Sequence, residues 1–171
     1  MIIQRWDERS LNEPAGRTGL KELKLFCEIY KKKGYTIFIV TQPPSWVFKT
    51  KLEGISPNEI DGIVKVFNVT KLLSLLDMSQ EEWENINKEK KLFFNELKEQ
   101  GLAKIIDISP FFMRNGKCIF NDEYNDQKMK ISKEIHSYYR DDDHIGSYGA
   151  KRPLEFILKT VYEEAGKKKQ S

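Results

Sequence analysis

Cysteine is scarce: Cys27 and Cys118 are the two in 171 residues. That is too few for a disulfide-built scaffold, and their spacing is nowhere near the C-x-x-C of a zinc or redox site. No apolar run approaches the roughly 20 residues of a membrane span. The start at Met1 lacks the basic, apolar and cleavage regions of a signal peptide. Nothing in the chain as written exports or anchors it, which predicts a cytoplasmic location. A dominant charge is missing as well: 29 Lys+Arg against 26 Asp+Glu leave +3. The basic clusters at 31–33, 88–91 and 167–169 lie far apart, which argues against a nucleic-acid face. Walker A, G-x-G-x-x-G, H-E-x-x-H and EF-hand patterns are all absent, and GSYG at 146–149 has the wrong spacing for a G-x-S-x-G nucleophile elbow.

What is present is a globular composition, 39% hydrophobic, 12% aromatic and 32% charged, in a length that suits one domain. The expected boundaries are 1–165 for the domain and 166–171 for a basic disordered tail. Ile2 and Ile3 read as the last half of a buried strand. Leu20, Leu23, Phe26, Cys27 and Tyr30 form one helical stripe, with Gly34 as its C-cap. TIFIVTQPP at 36–44 reads as a strand buried on both faces. The run from Ile63 to Leu76 fits either a strand or a helix, with a short strand followed by a helix the preferred order.

Ser79 to Glu82 spells a capping box, opening one helix with the stripe Trp83, Ile86, Lys90, Phe93, Phe94, Leu97 that Gly101 ends. LAKIIDIS at 102–109 is a second buried strand, stopped by Pro110. Residues 111–140 are less regular, with NGK at 115–117 as a turn. Leu154 to Tyr162 closes the chain as an amphipathic helix with Pro153 in its first turn. Two helix-to-strand units predict an α/β fold with a parallel sheet.

The densest group of reactive side chains is Tyr139-Arg140-Asp141-Asp142-Asp143-His144. A histidine acting as general base towards a serine hydroxyl needs a carboxylate to fix its tautomer and stabilise the imidazolium. Asp141, three residues before His144, is the natural partner. Helix capping by these aspartates is an equally physical reading, and a divalent-metal site on Asp141, Asp142 and Asp143 is a third. His136 fits a surface or packing role. Cys118, in the apolar stretch KCIF, fits a structural thiol better than a nucleophile.

YYRDDDHIGSYGA at 138–150 resembles the closing D-x-x-H block of SGNH/GDSL esterases. The closer resemblance is to SGNH domains fused to acyltransferase-3 membrane proteins, which O-acetylate polysaccharides such as the O-antigen of lipopolysaccharide. IIQRWDE at 2–8 is similar to the strand ending in Trp of those domains, placing Trp6 near their active site. GYTIFIVTQPP resembles their central strand, and IIDISPFFMRNGKC the stretch ahead of the final motif. The resemblance implies a three-layer flavodoxin-like fold with a parallel sheet, here without its first strand. Asp141 and His144 would be triad acid and base, and no metal or organic cofactor is expected. The implied partners are an acyl donor, a glycan acceptor, the missing N-terminal SGNH segment and the acyltransferase-3 membrane domain. Joined to that membrane protein, the chain would act on the extracytoplasmic face.

Two departures from the pattern carry expectations. Gly146 stands where the family has Ser, which would pass helix capping to Ser147. The Gly-Asp-Ser nucleophile block and the next block with its oxyanion glycine have no match, so the chain is expected to be the C-terminal part of such a domain. A sheet lacking its first strand would expose an edge and need a partner. An inactive remnant or binding module on the same scaffold is the alternative, and the triad by itself leaves hydrolase against transferase open.

Overall fold

The computed structural model describes residues 2–3, 14–44, 78–119, 138 and 145–167. They fall in two compact units, one built from 1–42, 84–108 and 159–171, the other from 43–83 and 109–158.

In the first unit β1 (Ile2–Ile3), β2 (Phe38–Val40) and β4 (Lys104–Ile106) form a parallel sheet in the order β1-β2-β4. Ile39 pairs with Ile3 on one side and Ile105 on the other. Ile37, Phe38, Ile39 and Val40 are all buried, as a strand covered on both faces requires. The second strand departs from expectation: Lys104 is exposed and Ile105 only half-buried. Among the described strands β4 lies at the end of the order, with a single paired neighbour.

Helix α1 (Pro14–Lys32) leads into β2, and α3 (Lys88–Glu99) into β4. Cys27 of α1 and Phe94 and Leu97 of α3 share one core with Ile37, Ile39 and Ala103. Both helices thus cover the same sheet face, as successive right-handed crossovers in one direction demand. Each ends in the same device. The Gly34 N–H bonds to Lys31 O at 2.9 Å and the Tyr35 N–H to Tyr30 O at 3.1 Å. The Gly101 N–H bonds to Lys98 O at 3.0 Å and the Leu102 N–H to Leu97 O at 2.9 Å. With φ of 83° at Gly34 and 64° at Gly101, these are Schellman caps. Tyr30 meets Tyr35 edge-on at 5.6 Å, the apolar contact such caps use. From the opposite sheet face the Lys104 ammonium pairs with Glu164 on α4 (Ser147–Lys167).

In the second unit β3 (Met78–Ser79), β6 (Lys117–Cys118) and β5 (Met113–Arg114) form an antiparallel sheet in that order. The β5–β6 hairpin turns through Asn115 and Gly116, with φ of 50° and 75°, the type I′ signature. The 3-10 helix Ser109–Phe112 precedes it.

Three elements correct the sequence reading. The helix opened by Ser79 is two, α2 (Gln80–Ile86) and α3. Buried Asn87 leaves helical geometry at φ −101°, ψ 6°, and its carbonyl accepts the first bond of α3 from Lys91 N–H at 2.9 Å. The capping box itself forms in full: Glu82 N–H donates to Ser79 Oγ at 3.0 Å and Ser79 N–H to Glu82 Oε2 at 2.7 Å. Helix α1 starts at Pro14, ahead of its apolar stripe. Helix α4 starts at Ser147, so Pro153 lies inside it and not in its first turn. A proline there lacks the N–H for residue 149 and presses its ring towards that carbonyl. The helix also continues through Gly166 and Lys167, into the segment expected to be tail. The undecided run 63–76 lies outside the described residues.

Candidate functional site

Polar groups gather just beyond the carboxyl ends of β2 and β4. The apolar run of β2 ends at Thr41, whose N–H donates to Ile106 O at 2.9 Å and so extends the ladder by one bond. Its hydroxyl donates to Asp107 Oδ1 at 2.7 Å and accepts from Ile108 N–H at 3.0 Å. One side chain therefore fixes the exit of both strands and orients an exposed carboxylate. In open α/β sheets ligands bind beyond the carboxyl ends of the strands. Neither residue was singled out from sequence. The available signal was a polar residue directly after each buried run, in FIVT and KIID.

The second construction brackets the D-x-x-H segment. Tyr138 O accepts from Gly146 N–H at 2.8 Å, and Gly146 O accepts from Ala150 N–H at 3.0 Å as the first bond of α4. Gly146 is therefore the N-cap, and the capping expected of Ser147 does not occur; a backbone glycine serves here. Gly149, buried in the first turn, lies against the Tyr138 backbone: an added Cβ would stand 2.7 Å from Tyr138 Cα and 2.8 Å from its carbonyl carbon, nearer still to its oxygen. The Tyr138 ring stacks on Tyr148 at 5.7 Å and 13° and meets Phe112 edge-on at 6.1 Å. GSYG is thus a fastening, each residue but Ser147 holding Tyr138 or the helix start. Asp141 and His144, with Asp142 and Asp143, belong to the span between the fastened ends and lie outside the described residues, as do Trp6 and His136.

Both cysteines are free thiols. Cys118 is buried and its Sγ lies 3.7 Å from Ser79 O, a structural contact. Cys27 is fully buried, and burial, then the charge of Glu28, pushes its thiol pKa up, the opposite of an activated nucleophile. Among the described residues no three His, Cys, Asp or Glu side chains group to hold a metal.

Helix-to-strand units feeding a parallel sheet, with polar side chains fixed past its carboxyl ends, define an α/β domain of the kind that works at strand ends. The model of the SGNH domain (fused to AT3 domains) matches residues 1–158, and the chain belongs to that family. The family is one of acyltransferase/esterase-type function, and its fusion to AT3 domains gives a membrane-protein setting with an AT3 domain as partner. No curated protein and no solved structure matches the chain. No helix among the described residues is long and apolar enough to cross a membrane.

Proposed function

We propose that residues 1–165 act as one part of a three-layer SGNH acyltransferase/esterase domain that O-acetylates cell-surface polysaccharide, such as lipopolysaccharide O-antigen, on the extracytoplasmic face. The carrying observation is that the D-x-x-H segment lies within the matched span 1–158 and is bracketed by the Tyr138–Gly146 bond at the start of α4. The layering is supported by the packing of α1 and α3 on one sheet face and the Lys104–Glu164 pair on the other.

In this reading Asp141 orients His144, which takes the proton of a serine hydroxyl supplied by a Gly-Asp-Ser block outside this chain. The serine oxygen attacks the carbonyl of the acyl donor; the tetrahedral intermediate collapses, and the leaving group departs with the proton from His144. His144 then deprotonates a glycan hydroxyl, whose oxygen takes the acyl group, and the proton passes from His144 to the departing serine oxygen. Water in place of the glycan makes the reaction a hydrolysis. The absence of Gly-Asp-Ser from the sequence favours a second reading, an inactive remnant or binding module.

The test measures p-nitrophenyl acetate hydrolysis and fluorophosphonate labelling, on this chain and on the chain joined to an SGNH segment carrying Gly-Asp-Ser. The joined form is expected to turn over and to label at serine, and His144→Ala to lose at least about a hundredfold. Equal turnover in wild type and His144→Ala refutes the acid–base role. A folded joined form without turnover or label establishes the inactive reading.

A further inference from the structure

In a parallel sheet fed by helices, each helix ends where its strand begins, so the carboxyl ends of the helices gather at the amino ends of the strands. Helix α1 closes on Lys31 and Lys32, and α3 carries Lys98 in its last turn. The strands they feed lie side by side, with Phe38 in register with Lys104. The last turns of α4 reach the same end: Lys104 pairs with Glu164, whose other carboxylate oxygen accepts from Lys167 at 3.1 Å. All of these residues belong to the first unit. Two of the three basic clusters dispersed in the sequence therefore meet around the strand entries. Lys31, Lys32, Lys33, Lys98 and Lys167 are exposed, and the first four have no carboxylate partner among the described residues. Of the acidic side chains on these helix ends, Glu96 is taken by Lys24 at 2.6 Å and Glu163 by Lys159 at 3.9 Å, which leaves Glu28 and Glu99 beside the lysines.

An aromatic ring sits among these cations. Tyr35, the first residue after the Gly34 turn, is 51% exposed and is braced edge-on by Tyr30 at 5.6 Å. Phe26 backs Tyr30 at 4.4 Å, and the Lys33 ammonium stands 5.1 Å from the centre of the Tyr30 ring. Attraction to the helix dipoles accounts for Lys31, Lys32, Lys98 and Lys167. It does not account for Lys33, which lies past the end of α1, nor for a tyrosine ring held half in solvent. Clustered ammonium groups gain from a surface of fixed negative charge, about fivefold in affinity for each lysine within a Debye length of it. An amphipathic ring beside them is the side chain that settles at the boundary between headgroups and acyl chains. The cations stand on separate helix ends and not in a line with interleaved rings, which suits a broad charged surface better than a nucleic-acid strand.

We infer that the amino end of the parallel sheet, with Lys31, Lys32, Lys33, Lys98 and Lys167 around Tyr35, docks on the anionic phospholipid headgroups of the membrane that holds the AT3 domain. Membership of the AT3-fused family puts that membrane within reach of the chain. The docking is independent of the chemistry proposed for residues 139–144. Seated this way the strands run away from the lipid, and Thr41 stands about 20 Å beyond Tyr35 at the rise of an extended chain. The polar carboxyl ends of β2 and β4, with Thr41 and Asp107, then face away from the bilayer.

The experiment floats the 171-residue chain with vesicles of phosphatidylcholine alone and of phosphatidylcholine with about one-third phosphatidylglycerol, in about 0.05 M and about 0.5 M salt. Binding to a short polythymidine strand is measured alongside. The chain is expected to float with the anionic vesicles at low salt and to stay in solution with neutral vesicles or at high salt. Lys31→Gln/Lys32→Gln/Lys33→Gln is expected to raise the lipid concentration for half-binding at least about twentyfold, and Tyr35→Ala about threefold. Lys88→Gln/Lys90→Gln/Lys91→Gln removes the same charge roughly 10–15 Å along α3 from Lys98 and is expected to change it less than about threefold. Circular dichroism checks the fold of each variant. Should the triple change at 31–33 unfold the chain, Lys98→Gln/Lys167→Gln decides in its place, with a loss of at least about fivefold expected. Absence of flotation by the folded wild type, equal flotation with neutral vesicles, or a loss in the Lys88 control as large as that at 31–33 overturns the proposal. Lysine-dependent binding of polythymidine without flotation assigns this end to nucleic acid and equally overturns it.

Discussion

Replacing Gly149 by alanine sets two calculable effects against each other. Alanine inside a helix is favoured over glycine by about 1 kcal/mol, and at most helical glycines that preference decides the sign. At Gly149 the new methyl would stand 2.7 Å from Tyr138 Cα and 2.8 Å from its carbonyl carbon, where carbon atoms rest at about 3.5–4.0 Å. The obstruction is backbone, not the movable end of a side chain, so the 138 segment or the first turn of α4 must move. Overpacking of this kind costs about 1–3 kcal/mol. Displacing Tyr138 also weakens the Gly146 N–H bond to its carbonyl, about 1 kcal/mol more. The net is a loss of about 1–3 kcal/mol, or a Tm lower by about 2–12 °C at this chain length. Gly19 in α1 is the internal control, because a Cβ there meets nothing within 4 Å; Gly19→Ala is expected to raise Tm. Both variants are melted side by side by circular dichroism, with amide exchange at Gly146 followed by NMR. If Gly149→Ala is as stabilising as Gly19→Ala and leaves the Gly146 amide protected, the fastening argument is wrong.

Thr41→Val keeps the shape of the side chain but removes the hydroxyl that serves Asp107 and the buried Ile108 N–H. Leaving that donor unsatisfied is expected to cost about 1–3 kcal/mol, seen as a lower urea midpoint with an unchanged m-value; an unchanged midpoint would show the clasp to be ornamental. The Lys104 ammonium, then that of Lys167, holds the Glu164 carboxyl below the ordinary glutamate value of 4.5. A depressed carboxyl contributes stability above 4.5 that is lost as pH falls towards the folded value. Lys104→Met is therefore expected to flatten the acid side of a Tm-against-pH curve and to remove part of its salt dependence; parallel curves for the two proteins contradict the pairing.

Local chemistry was legible in the sequence wherever it acts within a few residues. The Ser79–Glu82 box, the caps at Gly34 and Gly101 and the doubly buried strand at 37–40 depend on backbone geometry and period that neighbouring residues set. The family was legible for the same reason, since its motifs are short and contiguous. The turn at Asn115 and Gly116 was legible in NGK, but the strands it joins were not, because each is two residues long and shows no alternation. Helix α3 beginning at Lys88 behind the non-helical Asn87, and α4 running through Pro153, reversed the expected boundaries, because burial at Asn87 and a cap placed at Gly146 outweighed local propensity.

By itself the sequence determined the class of the domain, an α/β member of the AT3-fused SGNH family, and the candidate chemistry of Asp141 and His144. Only the tertiary structure decided that Thr41 locks Asp107 across 66 residues and that Tyr138 fastens to Gly146 and Gly149. Periodicity reports which face of an element is apolar. It carries no information about which distant backbone a glycine will meet or which ring will brace another, because those partners are chosen by packing after the elements have formed.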